Sequence, residues 1–357
     1  MTSRSTSLSI LAAIAGAAAL YLGQEVFVPI ALGLMMTALV RPAVQLLSRI
    51  HVPDAVGATL VTLSILGLLG AGGYFLAGPL KGWMRDAPQT LSAARGKIEK
   101  LRKPIKQVSQ AVEKAKDEVT GGSDQGKPGQ QKTQSAPAPP PAGGSMVSPI
   151  VGRVFATTAG ILSTLLQTVV IVFLVLATGD LLSRKIALLM PPQKTGTPEE
   201  TVSEAESVVR RYLVVTLLLS GGQAVVVALV FTVLGMPSPI LWGVLTFLLE
   251  CLPYIGALIM VGLITIASFA AFDSIGQIVL PPLAYITISS IQNNLVSPFA
   301  YGSGLRLNPL AVLIIVVIGW FLWGAAGAFV AVPLLAAVRV FAERSRTSSR
   351  LAEVLSD

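Results

Sequence analysis

The carboxy-terminal part of the chain, from residue 212 onward, is an almost continuous apolar sequence with a few polar or helix-breaking interruptions. Long apolar runs of this kind are typical of helices in a lipid bilayer, where each unpaired polar group costs several kcal/mol. Polar groups within such helices are therefore held inside a bundle or along a watery path. The interruptions lie at 248–256, 292–298 and 331–333, and these are the places where we expect function.

The composition also favours a membrane protein. Hydrophobic residues make up 53% of the chain and charged residues 12%, which is about half the charged fraction of a soluble globular domain. The single cysteine is Cys251 and the single histidine is His51, so neither a disulfide within one chain nor a zinc hydrolase site is expected. We predict an all-α polytopic membrane protein that uses no metal and no cofactor.

Eight stretches have the apolar character of membrane segments. Most are long enough to cross the ~30 Å hydrocarbon core as helices, and those in the carboxy-terminal half contain kinks or breaks. The stretches are 8–22, 26–45, 55–80, 150–178, 212–234, 240–270, 277–299 and 309–338. The first also resembles a signal peptide, but Gly23-Gln24-Glu25 leads directly into a second apolar run, which favours a retained helical hairpin.

The distribution of charge predicts the orientation of these segments. With the amino terminus in the cytoplasm, twelve basic residues flank the cytoplasmic ends, and the short external loops carry only Arg306. The positive-inside rule therefore places both termini in the cytoplasm of a bacterial inner membrane. The twelve are Arg4, Arg41, Arg49, Arg184, Lys185, Lys194, Arg210, Arg211, Arg339, Arg344, Arg346 and Arg350. The net charge of +8 thus reflects topology, and we expect no nucleic-acid partner.

Changes of composition divide the chain into seven units. These are amino-terminal membrane segments (1–80), an external helix (81–120), a disordered linker rich in Pro, Gly and Ser (121–147), the fourth membrane segment (148–180), a cytoplasmic loop and helix (181–211), the carboxy-terminal membrane bundle (212–341) and a cytoplasmic tail (342–357). Within the cytoplasmic unit, Thr197-Pro198-Glu199-Glu200 has the residues of a capping box and predicts a helix start.

The external helix carries apolar residues at alternating spacings of three and four, which is the pattern of a heptad seam. Pro104 interrupts the pattern. Such a seam pairs with a partner helix in a homo-oligomer, or it belongs to an amphipathic helix that lies on the bilayer or on the protein itself. The candidate residues for self-association are Leu91, Ile98, Leu101, Ile105, Val108 and Val112.

Glu250 is the one carboxylate that falls well inside a predicted membrane segment. Inserting a charge at mid-helix costs about 2.5–3.5 kcal/mol, and protonating a glutamate at pH 7 costs roughly 3.7 kcal/mol. Because these costs are similar, the carboxyl is able to carry a proton or bind a cation. Pro253 removes a backbone hydrogen bond beside it, and Tyr254 follows as a further candidate for the solute pathway. The structural alternative is a carboxyl that snorkels or bonds a neighbouring helix.

Gln292, Asn293 and Asn294 place three amides in succession near a helix end. Amides donate and accept hydrogen bonds without charge, which suits a polyhydroxylated solute or a hydrated passage. Bonding between helices that only holds the bundle together is the alternative. Helix breaks or hinges are predicted at Pro253, Gly256, Pro298 and Pro333.

Several of these motifs, in this order, resemble the autoinducer-2 exporter family of bacterial permeases. They are Leu234-Gly-Met-Pro237, Leu248-Leu-Glu250-Cys-Leu-Pro253-Tyr-Ile-Gly256, Gln292-Asn-Asn-Leu-Val-Ser-Pro298, Leu307-Asn-Pro309-Leu and Gly327-Ala-Phe-Val-Ala-Val-Pro333-Leu. The resemblance implies an eight-segment, oligomeric inner-membrane protein that moves small solutes outward, either autoinducer-2 or cations by sodium–proton antiport. Gln292 stands where many relatives have a glutamate, which disfavours cation antiport.

The sequence thus predicts a transporter, not an enzyme, that exports a small polar solute such as autoinducer-2, coupled to protons through Glu250. A sodium–proton antiporter and a non-transporting oligomeric scaffold are the alternatives. The expected partners are the bilayer, a small polar solute or monovalent cation, and further copies of the chain.

Overall fold

The computed structural model describes residues 2–74, 78, 147–179, 181–188, 196–301 and 307–344. These residues form helices joined by turns. The helices are α1 (Thr2–Leu22), α2 (Gln24–Ser48), α3 (Asp54–Tyr74), α4 (Val147–Thr178), α5 (Leu181–Leu188), α6 (Pro198–Val233), α7 (Pro239–Glu250), α8 (Ile255–Ala271), α9 (Ile275–Ile291), α10 (Ser297–Tyr301) and α11 (Pro309–Arg344). A π-helical turn, Gln292–Val296, joins α9 to α10.

Five of the described helical stretches are long and apolar enough to cross a membrane, namely α2, α3, α6, α9 with α10, and α11. Shorter apolar helices cover Leu162–Thr178, Pro239–Glu250 and Ile255–Ala271. The prediction of an all-α polytopic membrane protein is therefore confirmed. The predicted external helix and linker lie outside the described residues, as do Leu91, Ile98, Leu101, Ile105, Val108 and Val112.

The predicted hairpin between the first two segments is wrong. The Gly23 N–H donates to the Ala19 carbonyl as the last bond of α1, and the Gly23 carbonyl accepts from the Phe27 N–H as the first bond of α2, so Gly23 is the single residue between the two helices. Only the ψ of Gly23, at 17°, departs from helical values. The α1–α2 junction is therefore a bend in a helical chain, because the flexible glycine distorts one peptide without reversing the direction of the chain.

α6 begins at the predicted capping box. The Thr197 side chain accepts from the Glu200 N–H at 3.2 Å, and the Glu200 carboxylate accepts from the Thr197 N–H at 3.0 Å. The same turn of the helix pairs with Arg344 at the end of α11, through Glu200 at 3.7 Å and through Glu204. We call this end of the bundle, which also carries Arg41, the basic end.

α7 and α8 form a hairpin, which corrects the predicted single segment 240–270. The start of α7 meets the end of α8, since Ser268 lies 4.0 Å from the sulfur of Met236. The turn at the other end, Cys251–Tyr254, is called the tip loop. With 12 and 17 residues, the two helices are about 18 and 26 Å long, and neither spans the ~30 Å hydrocarbon core. α7 runs back along α6, where Gly243 packs against the Ala224 carbonyl.

α11 reverses direction at its middle, which corrects the predicted single segment 309–338. Trp323 and Gly324 have non-helical backbone angles, and Gly324 has a φ of 60°. A Cβ atom on Gly319 would meet the backbone of Gly327, although residues eight apart in a straight helix are about 12 Å apart. α11 is therefore a second hairpin, with arms 309–322 and 325–344. The predicted break at Pro333 is wrong, because this proline lies inside the second arm.

Candidate functional site

The tip of the first hairpin holds the carboxyl that the sequence singled out. Glu250 is the last residue of α7, so its side chain lies where one short helix ends and the next begins. The Tyr285 hydroxyl on α9 donates to the Glu250 carboxylate at 3.4 Å, and Tyr285 is fully buried. α6 presents Gln223 to the same carboxyl from the other side. Three helices therefore converge on Glu250.

Gln223 lies beside the Glu250 carboxyl and Ser220 lies beside the Cys251 thiol, but neither pair reaches the geometry of a hydrogen bond. Gln223 is 3% exposed and Ser220 is 1% exposed. Among the described residues, the hydroxyl of Ser220 and both polar atoms of the Gln223 amide lack a hydrogen bond. Leaving a buried donor or acceptor unmade costs about 1–3 kcal/mol per group, so such groups in a native fold call for a water, an ion or a ligand.

These two residues belong to a stripe of polar side chains along one face of α6. Tyr212, Thr216, Ser220 and Gln223 follow one another at spacings of four, four and three, which places them on the same side of a helix. All four are buried. At 1.5 Å per residue the stripe is about 17 Å long, and it connects the level of Arg211 with that of Glu250. We call it the α6 polar stripe.

Tyr301, at the end of α10, covers the basic end of this stripe. Its hydroxyl hydrogen-bonds the Thr216 hydroxyl at 2.9 Å, and its ring stacks on Tyr212 with centroids 5.8 Å apart. The Arg211 guanidinium donates to the Tyr301 carbonyl at 3.0 Å. The stripe is thus closed toward the basic end by a tyrosine pair that an arginine holds in place.

The tip loop has a strained backbone. Tyr254 has a φ of 63°, and the Ile255 N–H donates to the Pro253 carbonyl at 2.7 Å. This is a γ-turn with positive φ, which is rare and costly for a side chain with a Cβ. Such strain collects at functional sites, where the surrounding structure maintains it. The Tyr254 side chain itself is 54% exposed and does not point into the buried cluster.

Gly256 lets the chain turn tightly after the γ-turn. A Cβ atom at this position would collide with the carbonyl oxygen of Leu249 in α7. The prediction of Gly256 and Pro253 as breaking positions therefore agrees with their places at the hairpin tip. Two tip residues, Leu252 and Ile255, pack against the apolar cluster that contains Val316 and Ala328 of the second hairpin.

The structure separates the three predicted amides. Gln292 is buried on the face of α9 that also carries Tyr285 and Ser289. Asn293 and Asn294 are exposed and bond within their own helix, to the Ser289 hydroxyl at 3.3 Å and to the Ser290 carbonyl at 2.9 Å. Only Gln292 therefore shares the inward face with the partner of Glu250.

Pro298 explains the π-helical turn that contains these amides. A proline in a helix removes one hydrogen bond and clashes with the carbonyl four residues earlier, which here belongs to Asn294. The wider π turn at Gln292–Val296 relieves this clash. π turns are frequent at functional sites because they re-aim side chains.

Among known proteins, the family model of AI-2E family transporters matches residues 8–347 of this chain. The chain belongs to the AI-2E transporter family. A putative transport protein of Haemophilus influenzae is 22% identical over 99% of this chain and 96% of its own length. The AI-2 transport protein TqsA of Escherichia coli is 22% identical over 93% of this chain and 90% of its own length. A putative transport protein of Mycobacterium tuberculosis is 24% identical over 88% of this chain and 81% of its own length.

Membership of the AI-2E family makes the chain a multi-pass membrane transporter, as the sequence predicted. The hairpin tip adds three residues that the sequence analysis did not single out, namely Gln223, Ser220 and Tyr285. For two of them a signal was present, because Thr216, Ser220 and Gln223 repeat at helical spacing within an apolar run. Tyr285 had no such signal, since a tyrosine in a membrane helix is equally suited to packing.

Proposed function

We propose that this AI-2E transporter exports a small polar solute, such as autoinducer-2, through the polar site at the tip of the first hairpin, in exchange for protons carried by Glu250. The observation that carries the proposal is the carboxyl of Glu250 beside the unpartnered amide of Gln223. A solute that both donates and accepts hydrogen bonds would satisfy this amide and the Ser220 hydroxyl together. The family and the name of the E. coli relative support the choice of solute class.

Glu250 is suited to proton exchange because its charge is expensive at this position. A charged carboxyl in the middle of a membrane helix costs about 2.5–3.5 kcal/mol, close to the cost of protonating it at neutral pH. The Tyr285 hydroxyl stabilises the ionised form by donating to it. A bound solute that donates a further hydrogen bond to the carboxylate favours the ionised form, so solute binding releases the proton and the two exchange with each other.

The α6 polar stripe is the route that we propose between this site and the basic end. Its hydroxyls lie one helical turn apart, and a hydrated chain along them gives a solute successive hydrogen-bonding partners. Tyr301 blocks the stripe at Thr216 in the structure. We propose that displacement of Tyr301, permitted by the π turn before it, opens the route.

The two hairpins provide the parts that alternating access requires. The first enters from the end opposite the basic end, and the second, whose closing arm ends at Arg344, enters from the basic end. Broken helices that meet inside the membrane are the usual place for substrate sites in transporters. The contact of Leu252 and Ile255 with the second hairpin would transmit motion from one hairpin to the other.

We propose that the basic end, where α11 finishes at Arg344, faces the cytoplasm of a bacterial inner membrane. The predicted cytoplasmic amino terminus required a hairpin between α1 and α2, and without that reversal α1 leads away from the basic end. Arg41, Arg184, Arg210 and Arg344 lie at this end, and the positive-inside rule orients them inward. Self-association through the external helix remains a prediction, and we propose no catalytic activity.

The test is a transport assay in sealed liposomes that contain a pH-sensitive dye. Autoinducer-2 is expected to drive a proton flux in the wild-type protein, and Glu250→Gln is expected to abolish it while the protein stays folded in the membrane. Glu25→Gln, at an exposed carboxylate near the start of α2, is the matched control and should transport normally. A flux that Glu250→Gln leaves unchanged would sink the role of this carboxyl.

Sodium–proton antiport is the second candidate, because the site offers several oxygen atoms. The Glu250 carboxylate, the Gln223 amide and the Ser220 hydroxyl are the hard ligands that alkali cations prefer. Sodium added to the same liposomes distinguishes the two, since an antiporter produces a proton flux with sodium alone. No flux with either sodium or autoinducer-2 would leave uncoupled transport of another solute, or the scaffold.

A further inference from the structure

A cavity lies on the basic half of the molecule, away from the hairpin tip. It runs between α2, α4, α6 and the second arm of α11, and its volume is about 550 Å³, within the range of small-molecule sites. Its walls are mainly apolar. They include Phe27, Leu34, Leu176, Leu334 and Phe341. We call it the apolar cleft. Glu250, Gln223 and Ser220 do not line it.

The apolar cleft has the length of a lipid acyl chain in one leaflet. Along α2 the lining is mainly apolar from Phe27 to Ala38, a rise of about 17 Å, and the polar residues Arg41, Gln45 and Ser48 line the cleft beyond it. One leaflet contributes about 15 Å to the hydrocarbon core of a bilayer. An apolar occupant that follows the cleft would therefore end at the level of the arginine, where the hydrocarbon of the leaflet gives way to headgroups.

A polar pocket of about 590 Å³ continues the cleft at this arginine. Arg41, Gln45, Ser183 and Glu206 line both cavities. Glu206 is already satisfied, because it accepts from Arg41 at 2.6 Å and from the Ser183 hydroxyl at 2.7 Å. The ion pair at the junction therefore leaves little charge for a ligand.

Two further arginines supply charge to the polar pocket. Arg184 and Arg210 both line it, and neither forms a salt bridge with another of the described residues. The pocket also contains the exposed carboxylate of Glu199. Because Arg41 and Glu206 neutralise each other, the net charge of the lining is positive. Basic pockets between helices on the cytoplasmic side are typical sites for anionic lipid headgroups.

We propose that the apolar cleft and the polar pocket together bind one anionic phospholipid. One acyl chain lies along α2 in the cleft, and the phosphate contacts the guanidinium groups of Arg184 and Arg210. A zwitterionic lipid fits the cleft equally well but gains less from the two arginines, because its headgroup carries no net charge. This lipid would bridge α2, α5 and α6 at the place where the ion pair of Arg41 and Glu206 already joins them.

Native mass spectrometry of the full, delipidated protein tests the proposal, with phosphatidylglycerol and phosphatidylcholine of identical acyl chains as probes. After the lipid is added, each wild-type chain is expected to bind one phosphatidylglycerol tightly. Arg184→Gln with Arg210→Gln should weaken it about 30-fold, which corresponds to about 2 kcal/mol for the two charges at 1.4 kcal/mol per tenfold change. Arg49→Gln with Lys185→Gln removes the same charge from residues outside both cavities and should leave binding unchanged.

A second pair of variants tests the acyl chain. Ala38→Phe fills the apolar cleft and should remove the bound lipid, whereas Ala43→Phe, at an exposed position on the same helix, should retain it. Equal binding of both lipids, or equal binding by the arginine variant and its control, would overturn the proposal. Loss of the oligomer instead of the lipid in Ala38→Phe would assign the cleft to contact between copies of the chain and would likewise overturn it.

Discussion

Gln223 is buried beside Glu250, yet its amide makes no hydrogen bond with any other of the described residues. A leucine would fit the same space and remove the cost of the unsatisfied group. The retention of an amide next to Glu250 is therefore understood best as a feature of transport. The same reasoning applies to Ser220, one turn away on the α6 polar stripe.

Replacing Gln223 with leucine should move stability and transport in opposite directions. Removal of an unsatisfied buried amide is expected to raise the free energy of unfolding by about 1 kcal/mol, and thus the melting temperature by about 2 °C. Transport of the solute should fall at least tenfold. Thermal unfolding in detergent and solute flux in liposomes measure the two effects. Gln24→Leu, at an exposed position, serves as the control, and a joint loss of stability and flux would mean that Gln223 is structural.

Tyr254 is the second residue at which an energetically costly local structure coincides with the candidate functional site. Tyr254→Gly should relieve the positive-φ strain, whose cost is about 1–3 kcal/mol, while it adds about 0.5–1 kcal/mol of backbone entropy to the unfolded chain. The melting temperature is therefore expected to rise slightly, whereas Tyr254→Phe, which keeps the strain, should leave it unchanged. A lower melting temperature for the glycine variant would show that the ring of Tyr254 packs in the assembly.

At the scale of single residues, Glu250 lies among α6, α7 and α9, where the sequence led us to expect it because a lone carboxylate in an apolar run is too costly to leave facing lipid; its part in transport stays a prediction. It did not predict which of the amides would face inward. Three consecutive residues cover most of a helical turn, so the choice of Gln292 over Asn293 and Asn294 depends on the packing of α9 against its neighbours.

The two hairpins are the elements that depart most from the predicted segments. Hydrophobicity alone cannot separate a long crossing helix from two shorter antiparallel helices, because both bury the same apolar residues. The breaks occur at a γ-turn and at a glycine with positive φ, and each depends on one or two residues within a long apolar stretch. The helix start at Thr197 was predictable because its capping box is local.

Glycines in and near the first hairpin offer a matched test of its geometry. Gly256→Ala would place a methyl group against the Leu249 carbonyl, and we expect it to lower the free energy of unfolding by about 1–3 kcal/mol. Gly262 lies in the same helix with open space around its Cα, so Gly262→Ala should instead stabilise α8 by up to about 1 kcal/mol. Thermal unfolding compares the two variants, and equal effects would contradict the tight turn at the tip.

For the whole molecule, the sequence predicted the all-α membrane fold class, the transporter family and the grouping of basic residues at one end of the bundle. Composition, motif order and charge carry these predictions because they are distributed along the entire chain. The arrangement of the helices was not predictable in the same way. The bend at Gly23 and the reversal at Trp323 decide which faces meet, and both follow from contacts between distant segments, such as the hydrogen bond from the Trp323 indole to the Leu20 carbonyl at 2.9 Å.

We propose that the hairpin tip beside Glu250 lies on the solute pathway, and the single cysteine of the chain allows a direct test. Cys251 is the first residue of the tip loop and is half-buried. The measurement is the rate at which a small water-soluble thiol reagent modifies Cys251 in proteoliposomes, with and without autoinducer-2. We predict modification in the absence of solute and at least fivefold slower modification in its presence, with Cys251→Ala as the blank. A rate that autoinducer-2 leaves unchanged in protein that exports it would contradict the account.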